Sequence, residues 1–124
     1  MPAAIPILVV DDERNFLQLM ERTLAKKGFE VHAADSVAKA LQSLQKEFFS
    51  FALVDLRING KDSGLELLGE LKRRQPKMHT IMITAYPSEE SRAEAAARGA
   101  EAYLVKPASL DVLLDTFTTI LTAN

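Results

Sequence analysis

Two short apolar runs that each end on aspartate restrict the fold of this chain more than any other feature. Ile7-Leu8-Val9-Val10 runs into Asp11-Asp12, and Phe51-Ala52-Leu53-Val54 runs into Asp55. Runs this short, apolar at every position, fit strands buried on both faces of a parallel sheet. The strands of such a sheet finish on one edge, which is where open α/β sheets bind ligands. Three carboxylates therefore converge in one crevice. Two negative charges about 4 Å apart repel by about 4 kcal/mol at an effective dielectric near 20. Such a grouping is costly for stability alone. It calls for a cation among the carboxylates, and a hard divalent ion such as Mg²⁺ suits oxygen ligands.

Strand-like and helix-like segments alternate along the rest of the chain, the pattern of βαβ units. Ile5–Val10 reads as the first strand. Glu13–Lys27 reads as a helix with Phe16, Leu17, Met20 and Leu24 on one face and Gly28 closing it at C′. Glu30–Ala34 is a second strand, and Ser36 caps a helix burying Ala40, Leu41 and Leu44. Phe51–Val54 is the third strand. A polar loop, Arg57 to Asp62, leads to a helix capped by Ser63, lined by Leu65, Leu68 and Leu71, and stopped by Pro76. Thr80–Thr84 is the fourth strand, and Ser88 caps an alanine-rich helix ending at Gly99. Ala102–Val105 is the fifth strand. Ser109 caps the last helix, whose apolar face is Leu110, Leu113, Leu114, Phe117 and Leu121. Strict alternation of five strands and five helices predicts an α/β, doubly wound parallel sheet.

Bulk properties narrow the function classes. A length of 124 residues suits one domain, spanning the whole chain. No cysteine is present, so a disulfide frame and a thiolate metal site are both excluded. The net charge of −2, with both signs interspersed, offers no footprint for direct nucleic-acid binding. No apolar stretch is long enough to span a bilayer, and Met1-Pro2-Ala3-Ala4 does not begin a signal peptide. The expectation is a soluble, cytoplasmic protein.

The predicted strand ends carry Asp11 and Asp12, Asp55, Thr84 and Lys106. Taken singly, each has an ordinary reading as a turn aspartate, a strand threonine or a surface lysine. Together they place three carboxylates, a hydroxyl and an ammonium on one edge.

On these residues the chain resembles the receiver domain of bacterial two-component response regulators. The motifs are Val9-Val10-Asp11-Asp12-Glu13, Leu53-Val54-Asp55-Leu56-Arg57, Met82-Ile83-Thr84-Ala85-Tyr86 and Ala102-Tyr103-Leu104-Val105-Lys106-Pro107. They occur in order, and the resemblance extends from about Ile5 to Leu121. It implies a flavodoxin-like sheet of order 2-1-3-4-5. It also implies that Asp55 accepts a phosphoryl group from a phosphohistidine on a sensor histidine kinase or phosphotransfer protein. Asp11, Asp12 and Asp55 would bind Mg²⁺ with the backbone carbonyl of Arg57. Lys106 and Thr84 would contact phosphoryl oxygens, Thr84 and Tyr103 would act as the switch pair, and the Lys106–Pro107 bond would be cis. Readout would occur on the face made by the fourth helix, fifth strand and fifth helix, through an output domain, a target protein or a homodimer formed on phosphorylation. The stretch after Thr84 and the alanine-rich helix point towards regulators of transcription. A stand-alone phosphoryl shuttle of chemotaxis type is the alternative.

The chain departs from the family in two places. The stretch Ile58 to Gly64 counts one residue longer than the usual loop, which puts the loop's shape in doubt. Arg57 and Tyr86 flank the acceptor, either screening the acyl phosphate from water or lying solvated at the rim. Competing classes fit less well. A haloacid-dehalogenase-like phosphatase needs a second Asp two residues after its nucleophile, where Arg57 stands. A flavin carrier would set its phosphate against the Asp pair. A degenerate receiver would lack part of the quintet, and none is missing. The expected role is therefore a switch and not an enzyme, catalysing at most its own phosphorylation and dephosphorylation.

Overall fold

The computed structural model describes residues 3–123. Its elements follow the expected alternation: β1 (Ile5–Val10), α1 (Arg14–Ala25), β2 (Phe29–Ala34), α2 (Val37–Lys46), β3 (Phe51–Asp55), α3 (Ser63–Arg74), β4 (His79–Thr84), α4 (Glu89–Ala97), β5 (Ala100–Val105) and α5 (Leu110–Thr122). The sheet order is β2-β1-β3-β4-β5, and every pairing is parallel. Sequence order reverses between β1 and β3, so the crevice beyond their C-terminal ends is the switch point of the fold.

Alternation along the central strands divides the core in two. Leu8, Val10, Ala52, Val54 and Met82 face one side with Leu67, Leu68 and Leu71 of α3. Ile7, Val9, Leu53, Ile81 and Ile83 face the other with Leu17, Met20 and Leu24 of α1 and Leu113 and Phe117 of α5. Fully burying one such aliphatic side chain contributes about 1.5–3 kcal/mol, so both faces hold the strand ends firmly. Among the described residues, no helix is long and apolar enough to cross a membrane.

Several boundaries differ from the sequence reading. Ser63 is not the cap of α3 but its first residue; the N-cap is Asp62, which makes no side-chain capping bond. The Asp62 carboxylate faces Arg57 instead, at 3.6 Å. Gly28 takes the left-handed conformation (φ 91°), but it lies two residues beyond the α1 C-cap, Lys26. Leu121 is 53% exposed, and Ile120 turns into the core in its place. Both positions fall within a turn of Phe117, and the one that meets the sheet is Ile120.

The loop between β3 and α3 has a definite shape. Ile58 and Lys61 form an antiparallel bridge, and the residues between them, Asn59 (φ 56°) and Gly60 (φ 76°), make a two-residue turn of type I′. Ile58 is buried in the α3-side core, which anchors the turn. Gly64 then passes so close to the end of β3 that a Cβ there would lie 2.1 Å from the Asp55 carbonyl oxygen and 2.8 Å from that of Leu56. Only glycine lets α3 start at this point.

Candidate functional site

The C-terminal ends of β1, β3 and β5 bring the predicted carboxylates and Lys106 into one crevice of about 340 Å³. It is lined by Asp11, Asp12, Glu13, Asp55, Arg57, Gly60, Ala85, Tyr86 and Lys106. Carboxylate oxygens of Asp11, Asp12 and Asp55 lie within 4.8 Å of one another. Asp11 is fully buried; its Oδ1 accepts the Glu13 N–H at 2.8 Å and its Oδ2 accepts from Lys106 Nζ at 2.6 Å. Lys106 Nζ also stands 3.6 Å from Asp55 Oδ2 and 4.4 Å from the centre of the Phe16 ring. Asp12 is exposed, and its Oδ2 accepts the Asn59 N–H at 2.7 Å, which ties the turn to the acidic pair. The Lys106–Pro107 bond is cis.

The electrostatics follow from burial. Asp55 is pushed up to about 6, first by desolvation and then by the charge of Asp11, with Lys106 and the Arg57 backbone amide acting in the opposite direction. Burial alone would lower Lys106; its bond to Asp11 and the charges of Asp11, Asp55 and Glu13 outweigh this and hold it above its ordinary value. The crevice thus holds more negative charge than one ammonium offsets. Three carboxylates whose oxygens lie within 4.8 Å of one another are the oxygen donor set that a hard divalent ion takes.

Thr84 and Tyr103 stand outside this set. Thr84 is fully buried behind the crevice, and its Oγ1 accepts the Tyr86 N–H at 2.9 Å. Tyr103, on β5, points to α4: its hydroxyl shares a 2.5 Å hydrogen bond with Ser91, and Arg92 lies over its ring at 4.4 Å. Arg57 crosses the mouth of the crevice. Its Nη2 donates to the Gly60 carbonyl at 3.3 Å, and its guanidinium lies 5.0 Å from the centre of the Tyr86 ring.

Four supporting residues are not marked as such by the sequence. Phe16 beneath the Lys106 ammonium left no signal beyond its place on an apolar helix face. Gly64 was legible only as a loop glycine. The Asn59-Gly60 pair is a hairpin signal in itself, and the Ile58–Lys61 bridge is what it makes.

This geometry agrees with the comparison with known families, in which the response regulator receiver domain matches residues 7–118. The chain belongs to that family. Among relatives of the receiver domain, the alginate biosynthesis transcriptional regulatory protein AlgB of Pseudomonas putida is 37% identical over 107 residues, covering 86% of this chain and 24% of AlgB. The chain spans about a quarter of the length of the curated relatives it matches. Among solved structures, a CheY-like receiver domain from Methanospirillum hungatei superposes with a TM-score of 0.90 at 33% identity, covering 96% of this chain and 94% of that one. A response regulator from Burkholderia pseudomallei, crystallised with a phosphorylated aspartic acid, a calcium ion and citrate, gives 0.86 at 33% identity, over 90% of this chain and 65% of that one. The present receiver domain shares their five-stranded flavodoxin-like fold, and its acidic cluster offers a place for a divalent cation.

Proposed function

We propose that this receiver domain, taken as a single unit over residues 1–124, is a phosphorylation-driven switch with Asp55 as its phosphoacceptor. The observation that carries the reading is the convergence of Asp11, Asp12 and Asp55 on one point beside Lys106. A carboxylate oxygen of Asp55 forms a bond to phosphorus as the P–N bond of a partner's phosphohistidine breaks. The electron pair of that bond returns to the imidazole, which takes up a proton from water. Asp11, Asp12, Asp55 and the Arg57 carbonyl would hold Mg²⁺, which when bound offsets the repulsion between the acceptor carboxylate and the phosphoryl oxygens. The transfer needs little beyond in-line positioning and charge stabilisation. Lys106 supplies a charge-assisted hydrogen bond to one phosphoryl oxygen and the Thr84 hydroxyl donates to another. Arg57 and Tyr86 shade the acyl phosphate from bulk water.

The phosphoryl donor is a sensor histidine kinase or phosphotransfer protein, in the cytoplasm. The domain acts on no other substrate; at most it catalyses its own phosphorylation and dephosphorylation. When Thr84 moves towards the phosphoryl group, the Tyr86 amide that it holds moves with it, and space opens for the Tyr103 ring. That ring is tied to the first turn of α4, which buries only Ser91 and Ala95 and so costs little to shift. The change is read on the α4–β5–α5 face by an output domain, a target protein or a second copy. Control of transcription is the output we favour, because the relatives include transcriptional regulatory proteins.

Incubation with acetyl phosphate and Mg²⁺, followed by intact-mass analysis, tests the assignment. One phosphoryl group is expected on the wild type and none on Asp55→Ala. Equal labelling of the variant at the same rate would remove Asp55 as the acceptor.

A further inference from the structure

Among the described residues, one other cluster of metal-ligating side chains lies away from the crevice: Glu30, His32 and Glu47. Glu30 and His32 are two residues apart on β2, an outer strand, so they share one face. His32 pairs with Leu8, three residues before Asp11, which sets the cluster back from the strand ends. Glu47 is the C-cap of α2.

The backbones that carry these ligands are fixed. β2 is in continuous register with β1 from Phe29 to Ala34. Glu47 is held by the buried side chain of Gln75, whose Nε2 donates to the Glu47 carbonyl at 2.8 Å and whose Oε1 accepts the Phe49 N–H at 2.9 Å. The His32 ring is set edge-on against Phe49, with centroids 5.2 Å apart and planes at 74°. Its Nε2 lies 2.6 Å from Glu30 Oε2 and 2.9 Å from Glu47 Oε2. One ring N–H cannot serve two carboxylate oxygens fully, so two carboxylates and a ring nitrogen converge on one point. Burial and the hydrogen bond with Glu30 raise Glu47, while the bonds to His32 and Glu47 lower Glu30, so the two carboxylates and the imidazole act as one group.

We propose that Glu30, His32 and Glu47 form a second cation site, distinct from the crevice, that takes a borderline divalent transition ion such as Zn²⁺. One imidazole and two carboxylates form a three-ligand set with room for water at a fourth position. Imidazole favours Zn²⁺ over Mg²⁺, which prefers oxygen and dehydrates reluctantly. The bound ion would clamp the edge strand to the end of α2. Binding requires the imidazole to be deprotonated, so the site loses affinity in acid.

The chain has two histidines, His32 and His79, which makes a direct test available. Zn²⁺ is titrated into the protein in excess Mg²⁺ while the two sets of imidazole NMR signals are followed. A saturable change at His32, complete near one equivalent and absent at His79, is expected. Glu47→Gln and Glu30→Gln should each weaken the affinity read at His32 by about tenfold or more, and His32→Gln should remove one equivalent in competition with a chromogenic zinc chelator. Melting curves check that each variant is folded. An unmoved His32, parallel changes at His32 and His79, or unaltered affinity in folded Glu47→Gln would overturn the proposal and leave a histidine ion-paired to two glutamates.

Discussion

Replacing Asp55 by Asn should stabilise the metal-free protein, because the native state holds this carboxylate at a cost. Burial and the Asp11 charge raise Asp55 from 3.8 to about 6. A rise of that size corresponds to about 3 kcal/mol against the ionised form in the fold. Asp55 lies at the wall of an open crevice, where solvent screening reduces this, so about 1–3 kcal/mol is expected. Asn keeps the shape and removes the charge. Lys106 retains its 2.6 Å bond to Asp11, so no ammonium is stranded. Since the folded state binds the Asp55 proton more tightly than the unfolded chain, wild-type stability falls as pH rises from about 4 to about 6 and the penalty is complete above that window. Asp55→Asn lacks this component, so its advantage is full near neutral pH and vanishes below about pH 4. Urea denaturation in EDTA across this range is the assay. The corresponding increase in Tm is roughly 3–5 °C per kcal/mol for a chain of this size. Adding Mg²⁺ should stabilise the wild type by mass action more than the variant. A variant no more stable than wild type at neutral pH, or one with the same pH slope, would refute the electrostatic reasoning.

Gly64→Ala should cost about 1–3 kcal/mol, because its Cβ meets two backbone carbonyl oxygens that cannot rotate away; a change below about 0.5 kcal/mol in urea denaturation would contradict the close approach. Arg57→Ala should shorten the life of the acyl phosphate severalfold by opening the crevice mouth, measured as decay of the phosphorylated mass; an unchanged lifetime would assign Arg57 to the solvated rim. Tyr103→Phe should loosen the first turn of α4 by removing the bond to Ser91, seen as faster amide exchange at Ser91 and Arg92; unaltered exchange would show that the bond does not hold the helix.

The parts of the fold that were legible in the sequence are those where one physical rule acts alone. Ile7–Val10 and Phe51–Val54 are apolar at every position, so only a strand covered on both faces accommodates them, and their ends place Asp11, Asp12 and Asp55 without further information. The order of the strands came from resemblance, since alternation permits several windings of the sheet. Ser63 misled because a good capping residue is not used when the preceding Asp62 is drawn to Arg57 and Gly64 must meet the end of β3. Leu121 continued the apolar stripe of α5, yet the stripe is decided by what lies opposite, and Ile120 takes the last place against the sheet. Thr84 and Tyr103 were legible as residues but not as partners: one holds the Tyr86 amide and the other a serine of α4, contacts set by tertiary packing.

The central claim is that charge gained at Asp55 becomes a change of surface on the α4–β5–α5 face. Backbone and tyrosine NMR shifts recorded before and after adding beryllofluoride and Mg²⁺ test it most directly. The account predicts perturbations at the loops around Asp11, Asp55 and Lys106 together with Ser88–Gly99 and Tyr103, and none of these in Asp55→Asn. Changes confined to the crevice loops, with Ala93–Gly99 and Tyr103 unmoved, would contradict it.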